Sequence, residues 1–266
     1  MARIFQHSFL LILLLFTVSC AHLTTERRHP DCEVALSKAN CIGVLPAKAE
    51  VKTVGLGGSG ERKYDYEYRV EEIVADEANK ILQEKGYRTK LVRKRDLRKK
   101  KAFADFDRSK DRLDEATGDF YTSGELMQKE EAYNIHRNTG RYSRSVGKTT
   151  QSDVLLYINY VNNVKKNSAR AAGFLLDALQ AMGNRGNHSI SRSNNDDADT
   201  VVIMLTLVDA KTGNVLWSNF SRDVRDIFAD FFSGKDDAAD RKRVRQVIQF
   251  TLEPLPDKDK LLASKE

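Results

Sequence analysis

Hydrophobic positions along the chain change period several times, and each change marks an expected element. Phe9 to Phe16 is an unbroken apolar run, with Arg3 and His7 before it and Thr17-Val18-Ser19-Cys20 after it. It is too short to cross a bilayer, which needs roughly 20 residues. Residues 21 to 40 are polar and hold no sustained period, as expected of a tether. Ile42 to Leu45 reads as a first strand stopped by Pro46, and the glycine-rich stretch Gly55-Leu56-Gly57-Gly58-Ser59-Gly60 reads as a loop. From Tyr66 the apolar positions Val70, Ile73, Val74, Ala78, Ile81 and Leu82 recur at helical spacing until Gly86, which is placed as a C-terminal stop. Tyr87 to Val92 then alternates as a second strand.

Residues 93 to 150 are highly charged, with a helix expected around Ser123 to Ile135. Asp153 to Val161 reads as a strand and Ala169 to Met182 as an amphipathic helix with Ala172, Leu175, Leu176, Leu179 and Met182 on its apolar stripe. After a polar loop, Asn184 to Asp199, the stretch Thr200 to Val208 is apolar almost throughout, the pattern of a strand covered on both faces. It is expected to pair with Val215 to Phe220 through a turn in which Gly213 supplies a positive φ and a bulge. Two further helices follow, on Val224, Ile227, Phe228 and Phe231 and on Val244, Val247, Ile248 and Leu252, the second ended by Pro254 and Pro256. This order predicts an α/β fold, a mixed β-sheet with packed helices, as a single domain over residues 41–256 with a polar tail over 257–266.

Val18-Ser19-Cys20 resembles the lipobox of bacterial lipoproteins, with Thr17 where a leucine is more usual. The resemblance implies a signal peptide over residues 1–19, a Cys20 that carries three acyl chains, and a lipid-anchored tether over 20–40. Several chains make a durable anchor, since each buried methylene contributes about 0.8 kcal/mol and one chain alone binds only marginally. Ala21, in place of the aspartate that some members carry, implies sorting to the outer membrane, with the domain on its periplasmic face. A cleaved secretory signal with an incidental cysteine, or a buried N-terminal helix, are the other readings of the same run.

An exported chain changes the reading of composition. Loss of residues 1–19 leaves 43 basic against 38 acidic residues, a balance of +5 that names no partner by itself. Cys32 and Cys41 are the remaining cysteines; an oxidising compartment favours a disulfide between them, and two reduced core thiols are the alternative.

The segments Ile42-Gly43-Val44-Leu45-Pro46, Asp153-Val154-Leu155-Leu156-Tyr157-Ile158 and Val208-Asp209-Ala210-Lys211-Thr212-Gly213-Asn214-Val215-Leu216-Trp217 resemble strands of the periplasmic lipoprotein superfamily that includes the curli secretion channel subunit and small neisserial-type surface lipoproteins. The resemblance covers the domain in outline. It implies assembly with other envelope proteins, or with copies of the same chain as a homo-oligomer, and brings no catalytic residues. The channel subunit carries two long alternating insertions that become a membrane barrel; neither 93–150 nor 162–199 alternates in that way, so a relative without a pore is expected.

Signatures of chemistry are sparse. Gly55, Gly57 and Gly60 fit a GxGxxG spacing, but the helix and terminal acid of a dinucleotide site are missing, and Gly147-Lys148-Thr149 has Tyr142 where a phosphate loop needs glycine. His22, His29, His136 and His188 show no metal spacing, so neither a metal nor a cofactor is expected. Glu71-Glu72 and Glu130-Glu131 read as solvated helix faces. The run Arg88 to Lys101 holds nine basic residues against Asp96. It is either a solvated face balanced by Asp105, Asp107, Asp111, Asp114 and Glu115, or a surface for a partner or an anionic lipid, with Arg93, Lys94, Arg95 and Lys99 as candidates. Nucleic acid suits the charge but not the compartment. Tyr64, Tyr66 and Tyr68 alternate and suit either packing or a sugar face. The expectation is a non-enzymatic component or accessory of an envelope protein assembly, with peptidoglycan or lipopolysaccharide binding, or an envelope hydrolase, as alternatives.

Overall fold

The computed structural model describes residues 23–54, 60–118, 120, 127–128, 133–165, 200–223 and 237–263. In chain order the elements are β1 (Leu23–Thr24), β2 (Arg27–Arg28), α1 (Cys32–Lys38), β3 (Ile42–Val44), β4 (Lys48–Val54), β5 (Gly60–Arg62), α2 (Tyr64–Glu84), β6 (Thr89–Leu91), α3 (Lys94–Lys99) and α4 (Phe103–Thr117). They continue with β7 (Met127–Gln128), α5 (Arg141–Thr150), β8 (Val154–Lys165), β9 (Thr200–Asp209), β10 (Val215–Asp223), α6 (Asp237–Leu252) and α7 (Lys258–Ala263). Eight strands make one mixed sheet in the order β2-β10-β9-β8-β3-β6; β4 takes over from β3 along β8, and β5 folds back on β4. β3 is parallel to both β6 and β8, whereas β9 and β10 are antiparallel neighbours. β1 and β7 form a separate ladder, with Leu23 opposite Gln128.

From Val154 to Val161 β8 is apolar at every position but Asn159, and from Val201 to Val208 β9 at every position but Thr206, because both faces are buried there. Val154, Leu156, Ile158 and Tyr160 enter a core beneath α2 and α6, while Leu155, Tyr157 and Val161 enter a second core beneath α4 and α5. The result is helices, sheet, helices in three layers. Pro46 splits the strand that accompanies β8. Val44 lies opposite Leu156 and Lys48 opposite Asn159, so four steps on one side answer three on the other. Proline cannot donate to a ladder, and the extra residue there reverses the side-chain parity. Leu45 therefore faces the second core, whereas Ala47, Ala49 and Val51 face the first.

The expected α/β architecture holds, and two glycines do the work assigned to them. Gly86, at φ 82°, ends α2, and Gly213, at φ 83°, closes the β9–β10 hairpin, where the register shifts between Val215 and Trp217. Gly147 lies inside α5 with room for no side chain: a Cβ there would fall 2.3 Å from that of Ala210. The Gly-Lys-Thr tripeptide thus reflects helix packing. Cys20, Gly55–Ser59, the helices expected at 169–182 and on Val224 to Phe231, and the loop 184–199 lie outside the described residues.

Four expectations are corrected. Residues 23–40 are built into the fold: Trp217 Nε1 donates to Glu26 Oε1 at 2.6 Å, Arg28 Nη2 donates to the same oxygen at 2.5 Å, and Arg27 Nη2 donates to Phe120 O at 3.1 Å. Buried polar side chains with distant partners look, in sequence, like a tether. The helix expected at Ser123 to Ile135 is interrupted, since Met127–Gln128 is a strand and Tyr133–Ile135 is not helical. The tail holds α7, whose Leu261 is buried and whose Lys258 ammonium donates to the carbonyls of Leu36, Ser37 and Ala39 at 2.6, 2.8 and 2.9 Å, satisfying the open end of α1.

Cys32 and Cys41 are free thiols rather than a disulfide. Cys32 opens α1 among Arg28, Glu33 and Tyr87, and that helix carries the chain about 9 Å away along its axis. Cys41, at the foot of β3, has Arg88, Lys90, Ser152 and Asp153 as neighbours. Burial pushes the Cys32 thiol up to about 12, so it is inert while folded. We expect two alkylatable thiols from these positions when the chain is unfolded without reductant, and none from Cys32 in the native protein; recovery of a linked Cys32–Cys41 peptide would contradict the structure.

Candidate functional site

The parity change at Pro46 leaves a notch. β6 ends at Leu91, while β4 continues along β8 on the far side of β3, so the two diverge beyond the carboxyl ends of β3 and β6. Ligands of open α/β sheets bind at such carboxyl ends. The notch is a cleft of about 250 Å³ lined by Pro46 and Ala47, by Tyr68, Glu71, Glu72 and Ala75 of α2, and by Val92 to Arg95.

Its walls carry opposite charge. Arg93 Nη2 donates to Asp76 Oδ1 at 2.7 Å and its Nη1 lies 3.8 Å from Glu72, while Lys94 pairs with Glu71. The Asp96 carboxylate accepts the Arg93 backbone N–H at 3.2 Å and so fixes the start of α3. Asp76 also lies 3.7 Å from Arg241 of α6. Next to it is Glu77, with Lys80 at 2.8 Å and Arg245 at 3.3 Å. Burial opposes ionisation there, but those hydrogen bonds prevail and hold the Glu77 carboxyl below its ordinary range.

The four candidate cations therefore divide. Arg93 and Lys94 latch α3 onto α2, whereas the Arg95 side chain is 80% exposed, 3.9 Å from Asp96, and Lys99 is exposed. Others of the run are also held: Lys90 and Lys100 donate to the carbonyls of Thr150 and Thr149, and Arg98 covers the Phe103 ring. The balancing acids come from α2 upstream. Four of the five expected downstream partner elsewhere, Asp105 with Ser145, Asp107 with Lys110, Asp114 with Lys48 and Glu115 with Arg112. Glu71, read as part of a solvated face, is mostly buried against Lys94, whereas Glu72 is half exposed as that reading expects. The four-residue spacing of Glu72 and Asp76 on one helix face was the available signal for the acids that meet Arg93.

The tyrosines lie in the first turns of α2, so their alternation is not that of a strand. Tyr64 and Tyr68 share a helical face and are 68% and 62% exposed, while Tyr66 packs against the core. Tyr68 stands at the mouth of the cleft, 3.4 Å from Glu72.

Elsewhere the polar groups bind one another. Thr139 donates to Ser143 at 2.7 Å, Ser143 and Tyr157 hydroxyls lie 3.0 Å apart, and Tyr157 donates to Ser109 at 2.8 Å. Ser109 in turn donates to Phe106 O at 2.7 Å, and burial pushes the Tyr157 phenol up to about 12. This buried chain braces α4 and α5 on β8. His29 and His136 meet edge to face at 4.9 Å, a pairing their spacing did not suggest. The Asp31 N–H donates to His29 Nδ1 at 3.0 Å, and burial lowers that imidazole despite Asp31. Among the described residues no group of three His, Cys, Asp or Glu is placed to hold a metal ion. Gly60 belongs to a β4–β5 hairpin, not to the strand-to-helix turn of a dinucleotide site.

No family model, curated protein or solved structure matches the chain.

We expect Arg93→Glu to loosen the α2–α3 latch, costing about 1 kcal/mol because the pairs are partly exposed, and Arg95→Glu to change stability by less than about 0.5 kcal/mol. Thermal denaturation of the two variants checks this order; equal effects would dissolve the distinction between latch and exposed cation.

Proposed function

We propose that the chain is an outer-membrane lipoprotein, anchored through Cys20 and facing the periplasm, whose domain acts without catalysis by binding another envelope protein at the cleft between α2 and α3. The observation that carries this is the cleft's combination of size and charge. At about 250 Å³ it is smaller than the roughly 300–1,000 Å³ of small-molecule sites, and it suits one or two side chains of a partner. Its carboxylates hold Arg93 and Lys94, and the exposed cations offered to a partner on α3 are Arg95, which lines the cleft with Asp96 3.9 Å away, and Lys99, which lies outside the lining at the end of that helix. An acidic side chain reaching the rim gains those charges and the exposed face of Tyr68, a residue type favoured at binding sites. The lipobox resemblance supports the anchor, and the charged walls support recognition over chemistry.

A glycan reading draws on the same Tyr68 ring, which lies beside Glu71 and Glu72 as a flat face beside hydrogen-bonding carboxylates. The two readings differ in which side chains matter. Recovery of partners from membranes in mild detergent, followed by mass spectrometry, is expected to fall at least tenfold for the double variant Arg95→Glu, Lys99→Glu with the fold intact, and to change little for binding to isolated sacculi. Undiminished recovery of every partner would remove the cleft rim from the account, and loss of sacculus binding in Tyr68→Ala alone would favour the glycan. Turnover of any envelope substrate would overturn the non-catalytic reading.

A further inference from the structure

β6 ends one side of the sheet with half of its backbone unused. It pairs with β3 alone among the described strands. The Ile42 N–H donates to Arg88 O and the Val92 N–H to Val44 O, both at 2.9 Å, so the residues that face β3 are Arg88, Lys90 and Val92. In a parallel ladder the residues between them turn their own N–H and C=O the other way. Those of Thr89 and Leu91 therefore point outward from the sheet, and among the described residues no further strand pairs with them. An edge of this kind is a ready template for another chain.

The two faces of that edge differ. Leu91 is half-buried and packs against the first core, and Thr89, opposite Ile42, lies on the same face. Lys90 lies on the other face, where its ammonium and that of Lys100 donate to the last carbonyls of α5, Thr150 O at 2.8 Å and Thr149 O at 3.0 Å. Arg88 is exposed on this basic face, and it and Lys90 are both neighbours of Cys41. Beyond Leu91 the chain runs directly into Val92 to Arg95, one wall of the cleft. We infer that the β6 edge receives an extended segment of the partner protein, alternating acidic and apolar residues, as a further strand of the sheet; this rests on the partner-binding reading of the cleft and names the chemistry of the segment. Backbone groups supply the pairing, carboxylates meet Arg88 and Lys90, and apolar side chains extend the face begun by Leu91. A second copy of the chain does not suit this edge, since two β6 strands side by side would set Arg88 and Lys90 against their own counterparts.

The test titrates the full-length protein in mild detergent with a fluorescent hexapeptide of alternating valine and glutamate, and with its counterpart carrying lysine for glutamate. At low salt the acidic peptide is expected to bind about tenfold more tightly than the lysine one. With it bound, the Leu91 amide is expected to exchange its hydrogen about tenfold more slowly. Thr89→Pro removes one outward donor without touching the β3 ladder, and Thr89 Oγ1 has no hydrogen-bond partner to lose. That variant is expected to weaken the acidic peptide about fivefold, whereas Thr89→Val, which keeps the donor, leaves it unchanged. Arg88→Glu, which leaves the backbone alone, is expected to weaken it by a similar factor and carries the comparison if Thr89→Pro fails to fold. Equal binding of the two peptides, no binding of either, or an unslowed Leu91 amide would overturn the added strand. Partner recovery with the Arg95→Glu, Lys99→Glu variant separates the two proposals: a fall in recovery beside any of those results overturns the added strand alone, whereas undiminished recovery removes the cleft reading as well.

Discussion

β8 must satisfy two faces and two edges at once, and the rest of the structure follows from how it does so. β9 covers one edge along its length, and both faces lie under helices, so nearly every side chain from Val154 to Val161 is buried. The other edge is shared by β3 and β4, which cannot form one regular strand because Pro46 breaks the ladder and adds a residue. That single irregularity separates β4 from β6 and opens the notch in which Glu71, Glu72 and Asp76 meet Arg93 and Lys94.

At the opposite edge a buried carboxylate has a comparable effect. Glu26 accepts hydrogen bonds from the Trp217 indole and the Arg28 guanidinium, and the Tyr133 hydroxyl donates to its other oxygen at 3.2 Å. Removing one partner of such a network leaves a buried polar group unsatisfied, at a cost of about 1–3 kcal/mol. The network therefore commits residues 23–40 to the fold, and with them α1 and its partner α7.

The legible parts of the sequence were those governed by local rules. β8 and β9 announced themselves as apolar runs covered on both sides, α2 by its period up to Gly86, and the last hairpin by Gly213. What was not legible depends on partners remote in the chain. Glu26, Arg27 and His29 read as a solvated linker because Trp217, Phe120 and His136 lie more than 90 residues further on. β4 was missed because Lys48, Glu50 and Lys52 interrupt it with charge, and β5 because Gly60 lies in a glycine-rich stretch. The basic run was found, but the acids that pair with Arg93 and Lys94 were sought downstream when they lie on α2, at Glu71, Glu72 and Asp76. At the cleft, then, the sequence located one wall and the fold supplied the other.

The mixed-charge cleft is proposed to receive a side chain of another envelope protein. A photo-crosslinking amino acid at Tyr68, whose ring stands exposed at the cleft mouth, reads this directly in intact cells. The account predicts a discrete crosslinked species containing one envelope protein, lost when Arg95 and Lys99 are both reversed to glutamate. Absence of any crosslink at Tyr68, or a crosslink that survives that reversal unchanged, would contradict it.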